Sequence, residues 1–86
     1  MENESTVFVV DDDAEALASV CALVRSMGLT CKHFASGEEF LAYCDSGEEL
    51  FGCLVTDVRM LGISGIELQE QLVQRGIRIP VIVLTA

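Results

Sequence analysis

Basic residues are scarce in this chain: 5 lysines and arginines stand against 14 acidic residues, for a net charge of −9. A surface that grips nucleic acid or an anionic membrane needs a positive patch, so neither is expected as a direct partner. No apolar run approaches the roughly 18 residues that a membrane helix needs. The first residues, MENEST, are acidic and polar and are not expected to form a signal peptide. Cysteine pairs of the C-x-x-C kind are missing. Cys21, Cys31, Cys44 and Cys53 are spread evenly with no histidine cluster, which argues against a zinc site. Each lies in an apolar pattern, so all four are expected as reduced core thiols in a reducing, cytoplasmic compartment. His33 is the single histidine. It sits beside Phe34 in a strand pattern and is expected to be at least half exposed and not catalytic, so no Ser/His/Asp or Cys/His triad can be assembled. Proline occurs once, at Pro80, where it permits only the start or edge of a strand.

What is present is apolar material in a regular order. Hydrophobic residues make up 51% of 86 residues, enough for one small core, and residues 1–86 read as a single domain. Val7-Phe8-Val9-Val10 is a β-branched run without alternation, as in a strand buried on both faces. It stops at Asp11-Asp12-Asp13. A helix is expected over Ala14–Met27, with Leu17, Val20, Cys21 and Val24 on one stripe, Asp13 as its cap and Gly28 past its end. Thr30–Phe34 reads as a second strand. Ser36 with Glu39 has capping-box spacing and opens a helix over Gly37–Cys44. Cys53–Thr56 is a third strand ending at Asp57. Ser64 with Glu67 opens a third helix carrying Leu68, Leu72 and Val73 and ending near Gly76. Val81–Leu84 is a fourth buried-type run, followed by Thr85-Ala86. Strands alternating with helices over short connections imply an α/β fold with a parallel sheet and helices on both faces.

In such sheets the working site lies beyond the carboxyl ends of the strands. Asp11 and Asp12 end the first strand, Asp57 the third and Thr85 the fourth, so carboxylates and a hydroxyl converge there. Like charges about 4 Å apart repel by about 4 kcal/mol at an effective dielectric of 20. Hard oxygens at that density favour Mg²⁺. A metal-bound aspartate at a strand end can attack phosphorus and form an acyl phosphate, with Thr85 donating to a phosphoryl oxygen. Competing sites lack their residues. Three acids after the first strand would repel a bare pyrophosphate or a flavin phosphate, and no G-x-G-x-x-G is present there. Val55-Thr56-Asp57-Val58-Arg59 lacks the second Asp of D-x-D phosphatases of the haloacid dehalogenase kind.

The runs V-F-V-V-D-D-D at 7–13, C-L-V-T-D-V-R-M-L-G-I-S-G at 53–65 and I-P-V-I-V-L-T-A at 79–86 resemble the receiver domains of two-component response regulators. F-A-S-G-E-E-F-L at 34–41 points to the FixJ type. The resemblance implies a flavodoxin-like (CheY-like) sheet and transfer of a phosphoryl group from a sensor histidine kinase to Asp57. It implies Mg²⁺ held by Asp12, Asp57 and the main-chain carbonyl of Arg59, with Asp11 acting through water. Thr85 would be the switch hydroxyl and Ala86 its small neighbour.

Two departures from that family bear on the outcome. Leu61 stands where the family usually has proline, which is expected to loosen the loop through backbone entropy. The family's fifth strand, with its lysine and aromatic switch residue, has no counterpart here, and Lys32 on the second strand does not obviously replace that lysine. The domain is thus expected to be truncated after its fourth strand. Val81–Leu84 would become an exposed parallel edge, and self-association or membership of a longer parent chain is expected to follow. The leading function is a phospho-accepting switch, not a turnover enzyme. A phosphorylation-independent binding module and a metal-dependent phosphohydrolase are the alternatives.

Overall fold

Seven elements alternate along the chain in the computed structural model, which describes residues 5–84. They are β1 (Thr6–Val10), α1 (Ala14–Ser26), β2 (Thr30–Phe34), α2 (Gly37–Asp45), β3 (Gly52–Asp57), α3 (Gly65–Gln74) and β4 (Val81–Leu84). All strand pairs are parallel and the order is β2-β1-β3-β4. Strand order therefore reverses at β1, with β2 on one side of it and β3 on the other. Thr85 and Ala86 lie outside the described residues, and so does the role expected of them.

The helix starts are set by side chains that satisfy free backbone N–H groups. Asp13 Oδ1 accepts from Glu15 N–H at 2.9 Å and Ala16 N–H at 3.3 Å, capping α1. Ser64 and Glu67 form the full reciprocal box at α3. The expected box at α2 is only half formed: Ser36 Oγ accepts from Glu39 N–H, but Glu39 reaches back one residue further, to Ala35 N–H at 3.1 Å. Gly28 and Gly76 follow α1 and α3 with φ of +82° and +71°, the left-handed turn that stops a helix without a Cβ clash.

The sheet separates two unequal cores. On one face, α2 and α3 pack Phe40, Leu41, Leu68 and Leu72 onto Phe8, Val10 and Leu54. Phe8, Phe34, Phe40 and Tyr43 interlock there, the closest rings 5.2 Å apart and edge-on. On the other face, α1 covers Val9 and Cys31 with Leu17, Cys21 and Val24. Val73, expected on the buried stripe of α3, is instead exposed. Alternation along β4 half-buries Val81 and Val83 against the first face and leaves Ile82 (51%) and Leu84 (44%) open on the second. A strand expected to be buried on both faces is thus covered on one.

The cysteines correct the expectation of four separate thiols. Cys21 on α1 and Cys31 on β2 form a disulfide across the smaller core, their Cα atoms 5.7 Å apart. Cys44 and Cys53 are free. The pairing joins residues that face each other only after α1 folds back on β2, which is why spacing alone did not show it.

Candidate functional site

The parallel register places Val10 opposite Thr56. Asp11 and Asp57, each one residue further on, therefore leave adjacent strands at the same height. Asp12 follows in the turn toward α1. Asp11, Asp12 and Asp57 each offer a carboxylate oxygen, and these oxygens lie within 4.8 Å of one another. The three acids expected to meet do meet. The group sits at the carboxyl edge where strand order reverses, the place such sheets use for ligands.

The electrostatics show the cost of that arrangement. The Asp11 carboxyl is held above the ordinary carboxylate range, first by burial and then by the charges of Asp57, Asp12 and Asp13; the hydrogen bond from Asp13 N–H, at 3.0 Å, works against this. Asp12 Oδ2 accepts from Leu61 N–H at 2.8 Å, which leaves its second oxygen for another partner. The cluster fits a hard divalent cation: oxygen donors only, several negative charges, and partial exposure that leaves room for water. Asp11 and Asp57 are half-buried and Asp12 is exposed, so the group is open to a reacting partner.

The loop from Val58 to Ser64 is built to stay close to Asp57. Gly65 N–H donates to Val58 O at 3.1 Å and closes it. Gly65 is buried against the Asp57 carbonyl, where a side chain would collide with main chain. The Thr56 hydroxyl, fully buried, donates to Asp57 O at 3.1 Å. Val58 N–H donates to Leu84 O at 3.1 Å, carrying the β3–β4 ladder past Asp57. Arg59 is exposed in this loop.

The remaining sequence-derived candidates fall as follows. Thr85 lies outside the described residues. Lys32 is exposed on the outer strand β2, paired with Phe8, three residues before Asp11. His33 is exposed, as expected, and lines a cavity of about 310 Å³ beside α1. Two contacts escaped the sequence reading: Leu61 N–H on Asp12, and Ile63 N–H on Glu38. Gly62 and Gly65 flanking the loop were the only sequence signal that a close approach occurs there.

Comparison with known proteins agrees with this geometry. The family described as the response regulator receiver domain matches residues 7–86. The response regulator protein TmoT of Ectopseudomonas mendocina is 42% identical over 84 residues, spanning 98% of this chain and 37% of that protein. The transcriptional regulatory protein FixJ of Azorhizobium caulinodans is 44% identical over 86 residues, 99% of this chain and 39% of its own length. The chain thus spans under half the length of these relatives. Among solved structures, the crystal structure of FixJ-N superposes with a TM-score of 0.88 at 37% identity, over 98% of this chain and 66% of that one. The response regulator StyR gives a TM-score of 0.88 at 43% identity, over 98% of this chain and 41% of that one.

Proposed function

Because the chain belongs to the receiver-domain family of two-component response regulators, we propose that Asp57 accepts a phosphoryl group from a sensor histidine kinase. The observation that carries this is the convergence of Asp11, Asp12 and Asp57 within 4.8 Å at the end of the sheet. An Asp57 carboxylate oxygen forms the new bond to phosphorus while the bond from phosphorus to the donor breaks, leaving an acyl phosphate. Asp12, Asp57 and the Arg59 main-chain carbonyl would hold Mg²⁺, with Asp11 acting through water. Bound there, Mg²⁺ supplies positive charge that offsets the charge of the transferring phosphoryl group. Asp57 is held at the end of β3 by the buried Thr56 and by Gly65 beneath its carbonyl. Thr85, next after β4, would donate its hydroxyl to a phosphoryl oxygen.

In this reading residues 1–86 work as one receiver unit, a switch and not a turnover enzyme, and Asp57 is a stoichiometric acceptor. We also propose a cytoplasmic location, where an ATP-dependent kinase is met and where the Cys21–Cys31 pair would stand reduced. No helix among the described residues is long and apolar enough to cross a membrane. The open edge of β4, with Ile82 and Leu84 exposed, favours self-association through that strand. Mass measured in dilute solution tests the association, and a stable monomer contradicts it.

The phosphoryl reading is tested by incubation with Mg²⁺ and acetyl phosphate. The expected result is a mass gain of one phosphoryl group, absent in Asp57→Ala. No gain in the parent chain favours the second reading, a phosphorylation-independent interaction module. Continuous phosphate release would instead indicate a phosphohydrolase.

A further inference from the structure

Glu38, in the first turn of α2, grips the loop that follows Asp57. Its Oε2 accepts the Ile63 N–H at 3.1 Å. Gly62, at φ +80°, lies so close to the same carboxylate that a Cβ there would stand 2.6 Å from Oε2. On the helix side, Gly37 leaves a notch for Ile63, whose Cγ1 would be 2.7 Å from a Cβ at that position. Gly62 needs its glycine for its positive φ in any case, and Gly37 lets the Ile63 side chain seat against α2, so loop and helix meet closely at this point. An acid in a first turn is ordinarily explained by the helix dipole or by capping. Here the cap is Ser36, which accepts from Glu39 N–H, and the Glu39 carboxylate reaches back to Ala35 N–H, so Glu38 is left for the loop.

The same loop is held at a second point by Asp12, through Leu61 N–H at 2.8 Å. Glu38 is not a member of the acidic cluster; Asp12 is. The two acids thus hold amides two residues apart, at Leu61 and Ile63. Fixing one limits the freedom of the other, and Arg59 lies two residues before Leu61 on the same short loop. A loop already ordered before binding loses less entropy when it supplies a ligand.

We propose that Glu38 is a positioning residue for this site: by anchoring Ile63 it keeps the Leu61 amide on Asp12 and holds the loop ready for a cation. The proposal rests on the phospho-acceptor reading above. It also changes what Leu61 means. A proline at that position would have no N–H to give Asp12, so the leucine supplies a tether where greater looseness was expected.

The test uses Mn²⁺ as the probe, with binding to the full chain followed by loss of the free-ion paramagnetic signal. Amide exchange at Leu61 is measured in parallel. Glu38→Ala is expected to weaken Mn²⁺ binding about tenfold, the size of a lost charge-assisted hydrogen bond, and to speed exchange at Leu61, which Glu38 does not touch. Glu38→Gln keeps an acceptor oxygen and is expected to stay within about threefold of the parent. Glu38→Asp keeps the charge but falls one methylene short, and is expected to lose affinity severalfold, so it carries the test if the alanine variant fails to fold. Glu39→Ala loses only the bond from Ala35 N–H and should bind as the parent does. Parent-like binding in both Glu38→Ala and Glu38→Asp overturns the proposal, as does an equal loss in Glu39→Ala. A parent chain that binds no Mn²⁺ overturns the functional reading itself, which separates the two failures.

Discussion

The two faces of the sheet are built to different standards. The face under α2 and α3 has the aromatic cluster, the fully buried Phe8, Phe40, Leu54 and Leu68, and an ion pair joining its two helices. The face under α1 has a smaller cluster, a disulfide through its centre, and beyond it an uncovered strip at Ile82 and Leu84. The acidic cluster sits on the seam, with Asp12 in the turn leading to α1 on one side and Glu38 gripping its loop from α2 on the other. The difference teaches where stability and responsiveness reside. The thick face fixes the loop after Asp57, and the thin face leaves one side of β4 uncovered.

That contrast can be broken at several points. Phe40→Ala, in the thick core, is expected to cost about 4 kcal/mol, from lost burial plus a cavity that the ring cluster cannot close. Denaturant titration measures it, and a cost below that of any thin-face substitution would reverse the ranking. On the thin face, breaking the Cys21–Cys31 link by Cys31→Ala is expected to cost about 3 kcal/mol without reductant, the loop-closure value for a short ring. With reductant present, parent and variant should differ only by the packing of one sulfur. A gap that survives reduction unchanged would show that packing, not the bond, holds α1 to β2.

The seam is expected to respond in the opposite direction. Asp11→Asn removes one of three crowded charges; the Asp11 carboxyl is held above its ordinary value first by burial and then by its acidic neighbours, and both disfavour its charge when no cation is present. Thermal melts in a chelator should show the variant more stable than the parent, by about 1 kcal/mol if water screens the group fully and more if it does not. Added Mg²⁺ should stabilise the parent more than the variant. The smallest effect belongs to Asp45 and Arg75, which meet at 3.0 Å across α2 and α3. The hydrogen bond from Arg75 holds the Asp45 carboxyl below its ordinary value. A lowered folded-state pKa gives stability that is present at neutral pH and lost as pH falls below the ordinary carboxylate range. Both side chains are exposed to solvent, so Asp45→Asn should lower the melting point slightly at pH 7, and the difference should shrink as the pH falls below the ordinary carboxylate range.

Most of the fold was legible because β1, β3 and β4 are short, largely apolar runs ending in a turn signal. Capping residues marked the helix starts: Asp13, Ser36 and Ser64 act as read, and only the return bond of Glu39 shifts, to Ala35 N–H. The meeting of Asp11, Asp12 and Asp57 was legible too, since parallel strands must deliver their ends to one edge. Three features were not. The Cys21–Cys31 bond depends on which residue of an α1 stripe faces which residue of β2, and periodicity gives the stripe but not the facing pair. The exposure of Ile82 and Leu84 depends on what covers β4, which a run of valines, isoleucine and leucine does not encode. The grip of Glu38 on Ile63 pairs residues distant in sequence through a backbone amide, which no side-chain pattern records.

The central claim is that Asp57 takes the phosphoryl group with its acidic neighbours in support. The most direct measurement is fragment mass mapping of the chain after treatment with acetyl phosphate and Mg²⁺, with hydroxylamine used to cleave acyl phosphates. The account predicts one hydroxylamine-labile phosphoryl group, on the fragment that contains Asp57, and its disappearance when Mg²⁺ is chelated. A phosphoryl group on any other residue, or none on a chain that binds Mg²⁺, would contradict it.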